Sequence, residues 1–160
     1  PVPRTRDVDL EPFFFPLDRI RDWNVLYGPS GFYQFQCVAP PRDGEAVISS
    51  LLDLTARSGQ GSFLAVLKVF GTERSPGILS FPRPGPTLTL DFANRGASTL
   101  RLLSTLERVV MEAGGALYPA KDLHMSPATF RESFPRWEEL EQARDPVFCS
   151  RFWNRVAGCT

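Results

Sequence analysis

The 160-residue chain has few of the side chains from which most metal and nucleophile sites are built. It contains a single histidine, His124, and its three cysteines, Cys37, Cys149 and Cys159, follow no metal-binding spacing. We therefore expect no metal site. Lysine and arginine number 18 in total, and so do aspartate and glutamate, so the formal net charge is zero. A neutral chain has no overall field that would gather nucleic acid or anionic membranes.

Long apolar runs and the common cofactor motifs are also missing. No run approaches the roughly 20 apolar residues of a membrane span, and the opening "PVPRTRDVDL" lacks the apolar stretch of a secretory signal. The chain contains no GxGxxG, no phosphate-binding loop and no GxSxG. With 42% hydrophobic and 22% charged residues, the composition is typical of one soluble globular domain, and we expect a cytoplasmic protein.

The beginning of the chain is rich in proline and has no initiating methionine. We expect residues 1–12 to form a linker that follows a missing N-terminal domain, and residues 13–160 to form one folded domain. Apolar residues at helical spacing after Asp18, closed by Gly28, predict an N-terminal helix over residues 18–27.

From residue 31 to residue 118, the apolar periodicity predicts strand, helix, strand, strand, helix, strand. The successive segments are "GFYQFQCVAPP", "DGEAVISSLLDLTARSG", the mostly apolar "SFLAVLKVFG", "TLTLDF", "ASTLRLLSTLERVVMEAGG" and "ALYPA". We expect "SFLAVLKVFG" to be a buried strand. The segment "GILSFPRPGPTLTLDFAN" indicates a short extended piece, a proline-rich turn and the strand "TLTLDF", which predicts a hairpin. This order predicts an α+β, ferredoxin-like βαββαβ fold, with an antiparallel sheet and helices on one face. Prolines at 135 and 146 divide the remainder into short C-terminal helices.

Polar residues on the predicted strands are candidates for binding a ligand. Gln34 and Gln36 alternate along one strand and project from one face, and Lys68 interrupts an apolar strand. Lys68 has two interpretations: it lies on the solvated side of a half-covered sheet, or it joins the glutamines and Thr87 or Thr89 in a polar ligand surface. Such a surface would suit a polyhydroxylated substrate.

Three further residues have weaker support as functional groups. Lys121 follows a predicted strand end and precedes an aspartate, which is usually a surface pair of little energy. As a functional residue it would offer positive charge to a developing oxyanion or an electron-rich cofactor ring. His124 is a lone loop histidine, and Cys37 has no activating histidine nearby in sequence, so neither is favoured as a catalyst.

Several separated segments resemble the C-terminal, substrate-binding (cap) domain of FAD-linked oxidases, which belong to the vanillyl-alcohol oxidase superfamily. They are "FFFPLDRIRDWNVLYGPSGFYQFQCVAP", "LAVLKVFG", "GILSFPRPG", "LDFANRG" and "GGALYPAKD". Within that superfamily, the closest similarity is to the decaprenylphosphoryl-ribose oxidase branch. The resemblance covers roughly residues 12–155, and it implies that an N-terminal domain holds most of the FAD.

The resemblance also implies roles for individual residues. Tyr118 would contact the flavin, and Lys121 would face both the isoalloxazine ring and the substrate. The substrate pocket would be lined by Gln34, Gln36, Lys68 and Phe70, together with Thr87 and Thr89. The last two stand where the branch has an asparagine and a cysteine, and Leu123 and His124 stand where it has a serine and an arginine. Because of these departures, the identity of the substrate does not transfer.

The function that we expect is the cap domain of an FAD-dependent oxidoreductase. The complete enzyme would oxidise an alcohol carbon of a sugar or sugar-like substrate by hydride transfer to flavin, and this fragment alone would be inactive. One alternative is a stand-alone, ferredoxin-like ligand-binding or regulatory module that dimerises through its open sheet face. Another is an RNA-binding domain of the same topology, against which the balanced charge and the missing glycine-aromatic pattern both argue.

Overall fold

A computed structural model describes residues 6–73, 75–121 and 125–158 of the chain, except for the side chains of residues 23 and 24. The chain begins with a short helix, α1 (Leu10–Phe14), followed by two 3₁₀ turns, Pro16–Arg19 and Trp23–Tyr27. The prediction of one helix over residues 18–27 is therefore wrong. Ile20 is extended and Asp22 has a φ of 54°, so the backbone leaves the helical region twice within that segment.

The central elements form a four-stranded sheet with the order β2-β3-β1-β4, in which all neighbours are antiparallel. The strands are β1 (Phe32–Val38), β2 (Ala65–Phe70), β3 (Gly85–Ala93) and β4 (Ala116–Leu117). Helix α2 (Gly44–Arg57) connects β1 to β2, and helix α3 (Ala97–Glu112) connects β3 to β4. This arrangement confirms the predicted α+β, ferredoxin-like fold.

The core lies between the helices and one face of the two central strands. Phe35 pairs with Leu90 and Cys37 pairs with Leu88, and all four side chains are buried. The amphipathic helices add, among others, the fully buried residues Leu51, Leu106 and Val110. Burial raises the pKa of the Cys37 thiol to about 12, so the thiol stays neutral and is a poor nucleophile, as the sequence indicates.

Strand β4 is shorter than the segment "ALYPA" from which it is predicted. The strand itself pairs Ala116 and Leu117 with β1, and the Tyr118 N–H donates one more hydrogen bond, of 2.9 Å, to the carbonyl of Gln36 before a 3₁₀ turn (Pro119–Lys121) follows. Proline has no backbone N–H and cannot continue the ladder, so the chain turns away from the sheet at this point. The remaining edge of β1 is left open beyond β4.

Strand β2 lies at the opposite edge of the sheet, so the prediction of a buried strand is wrong. Leu67 is 59% exposed and Val69 is 77% exposed. The connection to β3 spans residues 71–84 and is much longer than a tight hairpin turn.

Three short helices follow the sheet, as predicted: α4 (Pro127–Ser133), α5 (Trp137–Ala143) and α6 (Arg151–Ala157). Helix α4 contacts β4, α3 and α6. Arg144 donates two hydrogen bonds to Glu141, and Trp153 donates a third. These bonds, with that of Arg144 the largest cause, lower the pKa of Glu141 to about 2.

None of the helices in the described part of the chain has the length and apolar character that crossing a membrane requires.

Candidate functional site

The sheet face opposite α2 and α3 carries six of the eight candidate residues that the sequence identifies. Directly opposed residues of antiparallel strands project from the same face, and the register pairs Gln36 with Thr89 and Lys68 with Thr87. The face therefore carries Gln34, Gln36, Lys68, Phe70, Thr87 and Thr89. The predicted grouping of these residues on one side of the sheet is consistent with this register, whereas their role in binding stays a prediction.

Both ends of this open face are covered by other parts of the chain. At one end, the ring of Tyr27 stacks on Phe32 with 4.0 Å between ring centroids. At the other end, Phe81 packs against Phe70 and Tyr118, with centroid distances of 5.9 and 4.7 Å. The middle of the face stays accessible, and we call the half-buried or exposed residues Gln34, Gln36, Thr89 and Lys68 the polar strip. At the border of the polar strip, the side-chain amide of Gln36 donates a 3.3 Å hydrogen bond to the hydroxyl of Thr87, which is buried.

A small cleft, with a cavity volume of about 40 Å³, lies along the edge of β1 that β4 leaves open and is continuous with solvent. Gln34 and Gln36 from β1, Tyr118, and Lys121 from the 3₁₀ turn all line it. The turn positions Lys121 through a 3.2 Å hydrogen bond from its backbone N–H to the carbonyl of Tyr118. Four of the eight candidate residues thus meet in one cavity, while Lys68, Phe70, Thr87 and Thr89 are not among its lining residues.

The chemistry of the cleft suits binding rather than a complete reaction. Its lining includes apolar residues of the core such as Leu103, one carboxylate, Glu107, and one cation, Lys121. Glu107 accepts a hydrogen bond from Thr129. No serine, cysteine or histidine lines the cleft among the residues that the structure describes, nor does that part of the chain hold three metal-ligating side chains together. Gln34 and Gln36 can bind polar groups, and Lys121 can stabilise negative charge.

The sequence does not identify a buried polar pair, Tyr27 and Asp91, at one end of the polar strip. The Tyr27 hydroxyl donates a 2.8 Å hydrogen bond to Asp91 Oδ2, and Asp91 is fully buried. Burial, followed by this bond and the carboxylate charge, raises the pKa of Tyr27, so its hydroxyl stays a donor. Asp91 Oδ1 has no hydrogen-bond partner among the described residues. The alternation of "TLTLDF" places Asp91 on the face of Thr87 and Thr89, a signal that could have identified it.

Two candidates from the sequence lie outside the described residues: His124, and the Leu123 that precedes it. The expectation that His124 is not a catalyst therefore stays a prediction. Cys37, the third weak candidate, lies in the core on the opposite side of the sheet from the polar strip.

Comparison with known proteins yields two informative relatives, and no family model matches the chain. The chain is 38% identical over 159 residues to decaprenylphosphoryl-beta-D-ribose oxidase from Mycolicibacterium smegmatis. This alignment covers 96% of the chain but 34% of the oxidase. The chain is also 31% identical over 160 residues to the "uncharacterized protein in mprA 5'region" of Streptomyces coelicolor, of which it covers 43%.

The chain therefore spans between a third and half of the length of these two relatives. The similarity supports the resemblance to the C-terminal region of FAD-linked oxidases that the sequence motifs indicate.

Proposed function

We propose that the chain is the substrate-binding cap region of a longer FAD-dependent oxidoreductase that oxidises an alcohol carbon of a sugar or sugar-like substrate. The observation that carries the proposal is the convergence of Gln34, Gln36, Tyr118 and Lys121 on one cleft. These residues come from two separate segments, and the family resemblance assigns each of them to the flavin or to the substrate. The similarity to an oxidase of a ribose derivative over 96% of the chain supports the same class.

The residues of the cleft fit part of an FAD molecule. Tyr118 and Lys121 give the cleft an aromatic and a cationic surface, and the ring of Tyr118 packs on that of the buried Phe81 with their centroids 4.7 Å apart. Such a surface is compatible with a planar, electron-rich ring, whereas the sequence contains no glycine-rich turn for a pyrophosphate. We therefore assign most of the FAD contacts to an N-terminal FAD-binding domain of the longer polypeptide. When bound, the flavin supplies the hydride acceptor.

The side chains of this chain would bind and orient the substrate and stabilise charge. The amides of Gln34 and Gln36 both donate and accept hydrogen bonds, which suits neighbouring hydroxyl groups of a sugar. Lys121 would place positive charge where negative charge develops during the reaction. Lys68, Thr87 and Thr89 would extend the polar surface, and Phe70 would form an apolar wall. Gln34 and Gln36 line the cleft and also belong to the polar strip, so one substrate could contact both.

The test is to purify the longer polypeptide that contains this chain and record its visible spectrum before and after adding aldoses and polyols without oxygen. We expect a flavin spectrum that is bleached by at least one of these compounds. Lys121→Ala should lower kcat/KM by about 10²–10³-fold, as for the loss of one charge-stabilising group. Lys121→Arg is the matched control and should retain part of the activity. A colourless protein, or full activity in Lys121→Ala, would contradict the proposal.

The alternative function, a stand-alone module that dimerises through its open sheet face, has less support from the geometry. Tyr27 and Phe81 cover the two ends of that face, so two copies cannot bring their sheets together over its whole length. A ligand-binding module without flavin chemistry is tested by the same spectrum.

A further inference from the structure

The outer edge of β2 differs from every other part of the sheet in its exposure. All six of its residues are exposed or half-buried. On the helix side of the sheet, Leu67 and Val69 expose 59% and 77% of their surface. Helix α2 packs on β3 and α3 instead. The described chain therefore leaves a pair of large aliphatic side chains without a covering layer.

The backbone of β2 is equally open. The strand pairs with β3 on one side and has no neighbour on the other among the described residues. Edge strands of native proteins are commonly protected by charged side chains, above all lysine, by proline, by bulges or by short length. β2 has six residues, no proline and no glycine, and it pairs with β3 in an uninterrupted register. Its one charge, Lys68, points to the other face of the sheet. An edge of this kind is able to accept another strand.

We infer that a segment of the longer polypeptide, outside these 160 residues, adds a strand to the outer edge of β2 and covers Leu67 and Val69. This inference rests on the part of the proposed function that makes the chain a region of a longer protein, and not on its flavin chemistry. Most of each relative's length lies outside the aligned region, since the chain covers 34% of one and 43% of the other. A polypeptide of that length offers ample material for a strand and a covering element.

A second copy of this chain is a poorer occupant, for a geometric reason. In a two-fold pairing of β2 with β2, each copy would contribute the same exposed Leu67 and Val69. In the described part of each copy Leu67 and Val69 stay exposed, so the pairing would enlarge the uncovered apolar surface while satisfying the backbone. A segment of different sequence can both pair with the backbone of β2 and cover Leu67 and Val69.

Site-resolved hydrogen exchange in the longer protein tests the inference. In an unpaired edge strand, alternate amides point to solvent and exchange quickly, whereas in an inner strand all of them are protected. We expect every amide from residue 66 to residue 70 to be protected, with no alternation. Fast exchange at alternate amides would overturn the inference. Concentration-dependent protection in a dimer would also overturn it, because a second copy would then be the occupant.

A pair of variants separates this contact from general destabilisation. Val69→Asp should increase the exchange rate of the outward amides of β2 by about tenfold or more. The covering segment would then bury an unpaired carboxylate, so it would separate from β2 more often. Leu52→Asp is the matched control, since Leu52 is 44% exposed on α2, and it should leave exchange in β2 unchanged. Equal effects of the two variants would contradict the inference.

The flavin spectrum of the same preparation separates this inference from the proposed function. A protein with a flavin spectrum but alternating exchange in β2 would contradict the added strand and support the proposed function. A colourless protein with uniform protection of β2 would support the added strand and contradict the proposed function.

Discussion

At one edge of the sheet β4 contributes two residues, whereas at the other edge β2 contributes six. The two residues of β4 are buried, and the N–H of Leu117 reaches the hydroxyl of Ser133 in α4 at 3.4 Å. The outer backbone of β2 has no such neighbour among the described residues. The edge that β4 and α4 cover in part is thus also the edge that carries the cleft.

The shortness of β4 is what makes the cleft possible. The Tyr118 N–H still donates a 2.9 Å hydrogen bond to the carbonyl of Gln36. Had the strand continued beyond Tyr118, it would have paired with the residues before Gln36 and closed the edge of β1. Instead, the chain turns at Pro119 and brings Lys121 back beside Gln34 and Gln36. The β2 edge has the opposite character, with a six-residue strand whose outer side pairs with no other strand in the described part of the chain. The cleft edge therefore suits a small ligand, and the β2 edge suits another strand.

The largest expected difference between the two edges is in the loss of stability when a glycine next to each edge strand is replaced by alanine. A Cβ added to Gly115, which precedes β4, would lie 2.6 Å from the carbonyl oxygen of Val38 and 2.7 Å from a methyl group of Val110. Gly115→Ala should therefore lower the free energy of unfolding by about 3 kcal/mol, because a packed backbone cannot move aside cheaply. Urea unfolding measures this change.

The matched control is Gly71→Ala, next to the end of β2. Among the described residues, apart from its two chain neighbours, no heavy atom lies within 4 Å of a Cβ at Gly71, so the free energy of unfolding should change by less than about 0.5 kcal/mol. Similar losses in the two variants would mean that the β2 edge is as tightly packed as the β4 edge.

A smaller difference in stability is expected when polar groups are removed from two residues at the open face, the buried Tyr27 and the exposed Lys68. Tyr27→Phe removes the hydrogen bond to the buried carboxylate of Asp91, whose other oxygen has no partner among the described residues. The free energy of unfolding should fall by about 1–2 kcal/mol. Lys68→Met, at an exposed position of the polar strip, should change it by less than about 0.5 kcal/mol. A negligible effect of Tyr27→Phe in urea unfolding would show that the pair does not stabilise the fold.

Local alternation explains why much of the site could be predicted from the sequence. Side chains two residues apart on a strand share a face, so the alternation alone groups Gln34 with Gln36 and Thr87 with Thr89. The order of strands and helices likewise follows from the apolar periodicity, and it suffices to predict the ferredoxin-like fold.

Features that depend on distant parts of the chain could not be predicted in this way. An apolar segment such as "FLAVLKVFG" is typical of a buried strand, and only the strand order places it at an edge. Tyr27 and Asp91 are 64 residues apart, so no local pattern relates them. The approach of Lys121 to the glutamines depends on a turn after β4, for which Pro119 is the one local signal. The helical spacing of residues 18–27 is compatible with 3₁₀ turns as well as with an α-helix.

A kinetic prediction contrasts the accessibility of a thiol beside β4 with that of a thiol introduced on β2. In the 160-residue chain, a cysteine in the variant Val69→Cys should react with a thiol reagent at the rate of an exposed thiol, since Val69 is 77% exposed. Cys37 pairs with Leu117 and is fully buried, so it should react about 10³-fold more slowly, through opening of the fold. Peptide mapping by mass spectrometry distinguishes the two sites. Equal rates would mean that the two edges open equally easily.

The pH dependence of stability gives an independent check on the same thiol. The pKa of Cys37 is raised to about 12 in the fold, whereas a thiol in an unfolded chain has a pKa of about 8.5. The neutral thiol is therefore the folded form, and its contribution to stability is complete below the unfolded pKa. It is lost as the pH rises through the interval between the two values. Cys37→Ala should remove this part of the alkaline loss of stability, whereas a thiol at position 69, exposed in both states, should add none.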